Sequence, residues 1–190
     1  MVARVTPKPA TYADVLAAPR HMVAEVLFGA LHTHPRPAGP HSAASSVIGV
    51  ELGGPFMRGK GGPGGWILLD EPELHLGEDI VVPDVAGWRR ERMPKVPAAA
   101  YFTLVPDWAC EVLSPGTRKL DQTDKLTIYA REGVRHVWHV DPDARTLLDM
   151  RLERERYSIL ATHRDDDRVR AEPFEAIELE LAALWADVEG

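Results

Sequence analysis

The run Trp108–Leu113 is apolar at every position but one, and the exception is an acid, Glu111. Pro106-Asp107 bounds the run on one side and Ser114-Pro115-Gly116 on the other. So short a segment suits a buried strand rather than a helix, which usually needs about ten residues or more. A second run has the same character: Ile80-Val81-Val82-Pro83 leads into Asp84 and Val85. A carboxylate within an apolar strand loses its hydration unless a cation, hydrogen bonds or a proton compensates. Two such acids on neighbouring strands would form the oxygen-rich, anionic cleft that Mg²⁺ prefers. Lone acids at strand ends also serve as turn caps and salt-bridge partners, and spacing alone does not separate these readings.

The rest of the chain supplies the strands and helices that such a sheet needs. Met22, Val23, Val26, Leu27, Ala30 and Leu31 recur at helical spacing, yet Gly29 in mid-segment equally suits two short strands, so periodicity leaves His21–Thr33 open. Ser42 is placed to cap a helix over Ala43–Pro55, with Val47, Ile48, Val50, Leu52 and Phe56 as its buried face. Trp66–Leu69, Glu73–Leu76 and Tyr101–Val105 read as strands. Asp121 is placed to cap a helix over Gln122–Arg131, with Gly133 as its stop. Val134–Val140 is a further buried strand, followed by strands near Thr146–Arg151, Tyr157–Ala161 and Val169–Ala171 and a helix over Leu179–Asp187. The glycine- and proline-rich stretches His34–Pro40, Gly53–Gly65 and Arg92–Pro97 read as loops. The order predicts one domain over residues 1–190, an α/β fold with a mixed sheet flanked by helices, a β-rich C-terminal segment and an N-terminal tail of about residues 1–11.

Charge bears on function. The formal net charge is −7, whereas duplex phosphates favour basic partners. Charge is also local: Arg89, Arg90, Arg92 and Lys95 form one basic stretch, Arg118 and Lys119 another. No apolar run approaches the roughly 18 residues of a membrane span, and the beginning of the chain lacks a signal-like apolar stretch. With a single cysteine, Cys110, disulfides play no part, and a cytoplasmic location is expected.

Lys125 is the candidate amine for a hydrolytic site. It follows Glu111 on the next predicted helix and shares a face with Tyr129, four residues on. Glu73 is a possible third acid and equally an exposed strand acid; His75 shares its side of the strand. Cys110 points away from Glu111 in a strand and reads as a core thiol. Trp88, Trp108, Trp138 and Trp185 read as core or interface residues.

The words around these acids are specific. Val82-Pro83-Asp84-Val85-Ala86-Gly87-Trp88 resembles the first half of the PD-(D/E)xK nuclease motif. Cys110-Glu111-Val112-Leu113-Ser114-Pro115-Gly116-Thr117-Arg118 resembles the second half as it stands in the Uma-type restriction endonuclease family. Asp121, Lys125, Tyr129, Ala130, Gly133-Val134, Trp138 and Asp141-Pro142 follow in that family's order, and the resemblance runs from about Ala18 to Leu184-Trp185. It implies a restriction-endonuclease-like core in which Asp84 and Glu111 bind Mg²⁺ or Mn²⁺, with the Val112 main-chain carbonyl as an extra ligand. It also implies a hairpin around Gly29. One position departs from the plain motif: lysine belongs two residues after the second acid, and Leu113 stands there, so the amine falls to Lys125. The implied activity is metal-dependent hydrolysis of DNA, with a homodimer natural for cutting both strands. The alternative is a catalytically degenerate relative serving as a binding or assembly module.

Overall fold

The computed structural model describes residues 8–36 and 39–186. Most of the expected tail at 1–11, residues 37 and 38 of the expected loop and the last residue of the expected C-terminal helix lie outside them. A short helix α1, Tyr12–Ala17, precedes two strands, β1 (Met22–Leu27) and β2 (Ala30–Pro35). The ambiguous segment is therefore a hairpin. Phe28 and Gly29 at its tip both take positive φ, 51° and 77°, as the tight turns that follow strand twist require. Asp79 secures the turn by accepting the Phe28 N–H at 2.6 Å.

Helix α2, Gly39–Leu52, runs into a π-helical turn at Gly53–Met57. It begins before Ser42, so Ser42 is not its cap, and its buried residues are His41, Ala44, Ile48 and Leu52. Phe56 is buried as expected, but Val50 is 73% exposed because the helix is rotated relative to the predicted face. Then come β3 (Trp66–Asp70), β4 (Leu74–Leu76), β5 (Asp79–Val81), β6 (Val85–Arg89) and β7 (Trp108–Val112). Tyr101–Val105 is not a strand; Phe102 makes one isolated bridge to Leu74. After β7 the chain forms α3 (Arg118–Leu120), a π turn (Asp121–Lys125) and α4 (Leu126–Glu132), and Gly133 closes α4 at φ 83°. The last elements are β8 (His136–Asp141), β9 (Thr146–Glu153), β10 (Arg156–Arg164), β11 (Arg168–Val169), β12 (Leu179–Glu180) and a 3₁₀ turn at Leu181–Leu184. The expected terminal helix is thus a strand and a single tight turn.

The architecture is mixed α/β. Six strands form the main sheet in the order β10-β9-β8-β7-β6-β3, and four form a second sheet, β2-β1-β5-β4. Only β7 and β8 pair in parallel in the main sheet, and the α3–α4 segment makes the crossover that a parallel pair needs. Alternation along β7 sends Trp108, Cys110 and Val112 into a core shared with α2, Phe174 and Trp185. Ala109 joins the opposite core with Ile128 and Tyr129 of α4. Glu111 shares that parity and so points toward α4. Trp88, Trp108, Trp138 and Trp185 are all buried, so each takes the core alternative. No helix among the described residues is long and apolar enough to cross a membrane.

Candidate active site

The second acidic run divides between the two sheets. β5 ends at Val81 and β6 starts at Val85, so Asp84 lies in the link between them rather than inside a strand. That link delivers Asp84 to the edge of the β6–β7 ladder, one step beyond the Val85–Cys110 pair. There Asp84 Oδ2 accepts the Val112 N–H at 2.7 Å. Its other oxygen, Oδ1, lies 3.2 Å from His41 Nε2 at the start of α2. A carboxylate can only accept, so His41 donates from Nε2 when the two hydrogen-bond.

Glu111 is sealed on the α4 side of β7. Tyr129 donates its hydroxyl to Oε1 at 2.5 Å, and Lys125 donates to Oε2 at 2.8 Å. The same ammonium donates to the Val82 carbonyl at 3.1 Å and lies 3.3 Å from Glu25 and 3.4 Å from Asp121. Glu25, from the middle of β1, also accepts the Val82 N–H at 2.7 Å and sits 3.5 Å from His34. Sequence reasoning placed Asp84, Glu111 and Lys125, and all three line one cavity of about 250 Å³ with Asp121, His34, His41 and Arg36. Glu73 is elsewhere. It is bonded to His75 at 2.8 Å in an adjoining depression, just outside β4 rather than within a strand.

Three site residues escaped the sequence reading. Glu25 carries the very signal used for the other two acids, since Val23, Ala24, Val26 and Leu27 flank it; the helical spacing of the segment, which competes with the hairpin that the resemblance implies, hid it. Asp121 was expected as a cap, but the helical segment begins earlier, after Thr117, and Asp121 is buried beside Lys125. His41 had no motif to mark it.

The electrostatics follow from crowding three carboxyls, Glu25, Glu111 and Asp121, around one ammonium, with Asp84 close by. Burial pushes Glu111 well above the usual carboxylate range, and Asp121 and Asp84 reinforce the shift against Lys125. Burial likewise raises Asp121, despite Lys125 and a hydrogen bond from Thr117. Glu25 goes the other way: burial opposes its charge, yet Lys125, His34 and the Val82 N–H hold its carboxyl down at about 2. Burial also opposes charge on Lys125, but Glu111 and Glu25 keep its proton bound well above the ordinary lysine range. His139, beside Glu111 in the parallel register, is pushed down to about 4 by burial and by Lys125, and is neutral near pH 7. The cluster is short of positive charge.

Among the described residues no group of three or more His, Cys, Asp or Glu is arranged to hold a metal ion. Two carboxylates and a carbonyl are nevertheless a donor set that suits Mg²⁺, which keeps several of its waters and takes one or two protein carboxylates. Asp84 and Glu111 line the same cavity. The Val112 carbonyl leaves β7 on the same side as its N–H, toward Asp84. The residues fit a hard divalent cation.

A family model described as "Putative restriction endonuclease", Uma2, matches residues 11–184. The chain belongs to the Uma2 family. Among solved structures, this family member is similar to a putative nuclease from Anabaena variabilis, with 23% identity, 94% of this chain and 98% of that chain covered, and a TM-score of 0.75. At that identity the likeness carries the fold, which is the nuclease-like mixed sheet, and leaves the chemistry to the site. No curated protein matches the chain.

Proposed function

We propose that this Uma2 protein is a metal-dependent endonuclease that hydrolyses phosphodiester bonds in DNA. The observation that carries the reading is that Asp84, Glu111 and Asp121 line one solvent-connected cavity with Lys125, whose buried ammonium faces Glu111, Asp121 and Glu25. Asp84 and Glu111, with the Val112 carbonyl, would hold Mg²⁺ or Mn²⁺, and the bound ion would supply Lewis acidity at the scissile phosphate and a more acidic water. Tyr129 and Lys125 fix both oxygens of Glu111, and the Val112 N–H fixes Asp84, so neither carboxylate has to be reorganised to meet a ligand. Lys125 offsets part of the acids' charge and is the amine that lines the cavity with them. Two copies of the chain would be required to cut both strands in one encounter, and a homodimer goes with the reading. So does a cytoplasmic location, in which the buried thiol Cys110 stays reduced.

A second reading, a binding or assembly module of the same fold, is favoured by Lys125. The ammonium has three protons, and four oxygens lie within 3.4 Å of it, so no donor is spare for a water. Supercoiled plasmid incubated with Mg²⁺ or Mn²⁺ separates the two. Nicking by the wild type that disappears in Asp84→Ala and Lys125→Ala supports the nuclease. Nicking that persists in Asp84→Ala rules out this site as its source, and metal uptake seen by calorimetry without nicking favours the module.

A further inference from the structure

Beyond the acids proposed to hold a metal, the cavity has a mouth, and its chemistry is uneven. Three depressions adjoin there, of about 250, 290 and 380 Å³. Arg36 and Glu71 are the two residues common to all three linings. They form an ion pair with each other, Arg36 being 56% and Glu71 35% exposed. Around them the walls are acidic: Asp70, Asp84, Glu111 and Asp121 line one depression or another. Lys125 cannot offset this for an approaching anion, because it is 2% exposed and engaged on every side. Arg20 lines the depression that Asp84 does not reach, so Arg36 is the guanidinium that lines both depressions shared with Asp84.

Glu71 is held at its post by the backbone. It takes φ 42°, and its N–H donates to the Asp84 carbonyl at 3.0 Å. The carboxylate that occupies Arg36 is thus tied to the residue proposed to hold the metal. A half-exposed ion pair of this kind is weak and screened, so a better-matched anion displaces it readily. Phosphodiester oxygens fit a guanidinium in the same forked manner as a carboxylate.

Building on the nuclease reading, we propose that Arg36 is the phosphate-binding residue at the mouth of the site, and that Glu71 occupies it until a nucleic-acid phosphodiester takes its place. Binding is read by fluorescence anisotropy of a labelled duplex oligonucleotide across a salt series. Ca²⁺ replaces Mg²⁺ so that binding is observed apart from cutting, and the oligonucleotide is checked intact on a gel. Arg36→Gln should raise Kd about tenfold, the loss of one charge-assisted contact. It should also make the slope of log affinity against log salt shallower by about one. Glu71→Gln should lower Kd about two- to fivefold by freeing the guanidinium, and Arg36→Lys should keep the wild-type slope. Both side chains are at the surface, and unchanged far-UV circular dichroism will show that the variants fold. Wild-type binding with the same Kd and slope in Arg36→Gln overturns this assignment and leaves the nuclease reading standing. Complete displacement of the duplex by inorganic phosphate points to a small-anion site and overturns it as well. A wild type with no salt-dependent DNA binding removes both.

Discussion

Replacing Lys125 by Met tests whether the carboxylate cluster depends on its one ammonium. Methionine keeps the length of the stem and removes the charge. The nitrogen lies 2.8 Å from Glu111 and 3.3 Å from Glu25, and all three side chains are at most 3% exposed. Breaking a buried pair by deleting one partner costs about 3–5 kcal/mol, because the abandoned charge stays buried. That is a large part of the roughly 5–15 kcal/mol by which domains are stable. For a chain of this size it corresponds to a fall in Tm of about 6–20 °C. Urea titration followed by tryptophan fluorescence should show a lower midpoint at an unchanged slope. Adding Glu111→Gln to Lys125→Met should cost less than the two changes summed, with a coupling of about 0.5–3 kcal/mol. A loss below about 1 kcal/mol, the worth of an exposed pair, together with additivity in the double variant, would refute the description of this cluster as a closed electrostatic unit.

Other expectations follow from other parts of the fold. Asp149 is held up at about 6 by burial and by the nearby Glu172 and Glu175, against a hydrogen bond from the Glu172 N–H. A folded carboxyl that binds its proton more tightly than the unfolded chain loses stability as pH rises. Stability should therefore fall between about pH 4 and 6 by at most about 3 kcal/mol, and Asp149→Asn should flatten that part of a Tm-versus-pH curve. Glu25 acts in the opposite sense: its depressed carboxyl stabilises above the unfolded value and loses this as pH falls toward about 2. Gly87→Ala would place a methyl 2.9 Å from Leu68 Cδ2 and 3.2 Å from Trp108 Cε3. This should cost about 1–3 kcal/mol in the same urea assay, and the near-UV circular dichroism of the tryptophans should change with it.

Elements whose residues speak for themselves were legible in the sequence. Trp108–Leu113 reads as a buried strand because so short an apolar run does not suit a helix, and the strand spans Trp108–Val112; Gly133 stopped its helix as the left-handed conformation predicts. Less was visible where two devices share one pattern. Asp121 looks like a helix cap because a short acid before a helix usually is one, and only the extra turn from Arg118 reassigns it to the site. Val50 was expected inside because helical spacing counts residues evenly, while the orientation of α2 is set by what His41 and Ile48 reach. Arg36 needed the tertiary arrangement, since the hairpin meets Glu71 only after the two sheets are in place. Asp84, Glu111 and Lys125, which local words accompany, line one cavity; Glu73, which has no such company, lines an adjoining depression.

The widened turn at Asp121–Lys125 makes the length of one segment part of the chemistry. In a helix of 3.6 residues per turn each residue advances the phase by about 100°. Losing a single residue between Lys125 and Ile128 would carry Lys125 round the axis and away from Glu111, while Ile128 and Tyr129 hold α4 against the sheet. Substitutions along the outer side of this segment, at Gln122 or Thr123, leave the phase intact. Insertions and deletions there should be far less forgiving than changes of residue type, because spacing, more than composition, aims the amine.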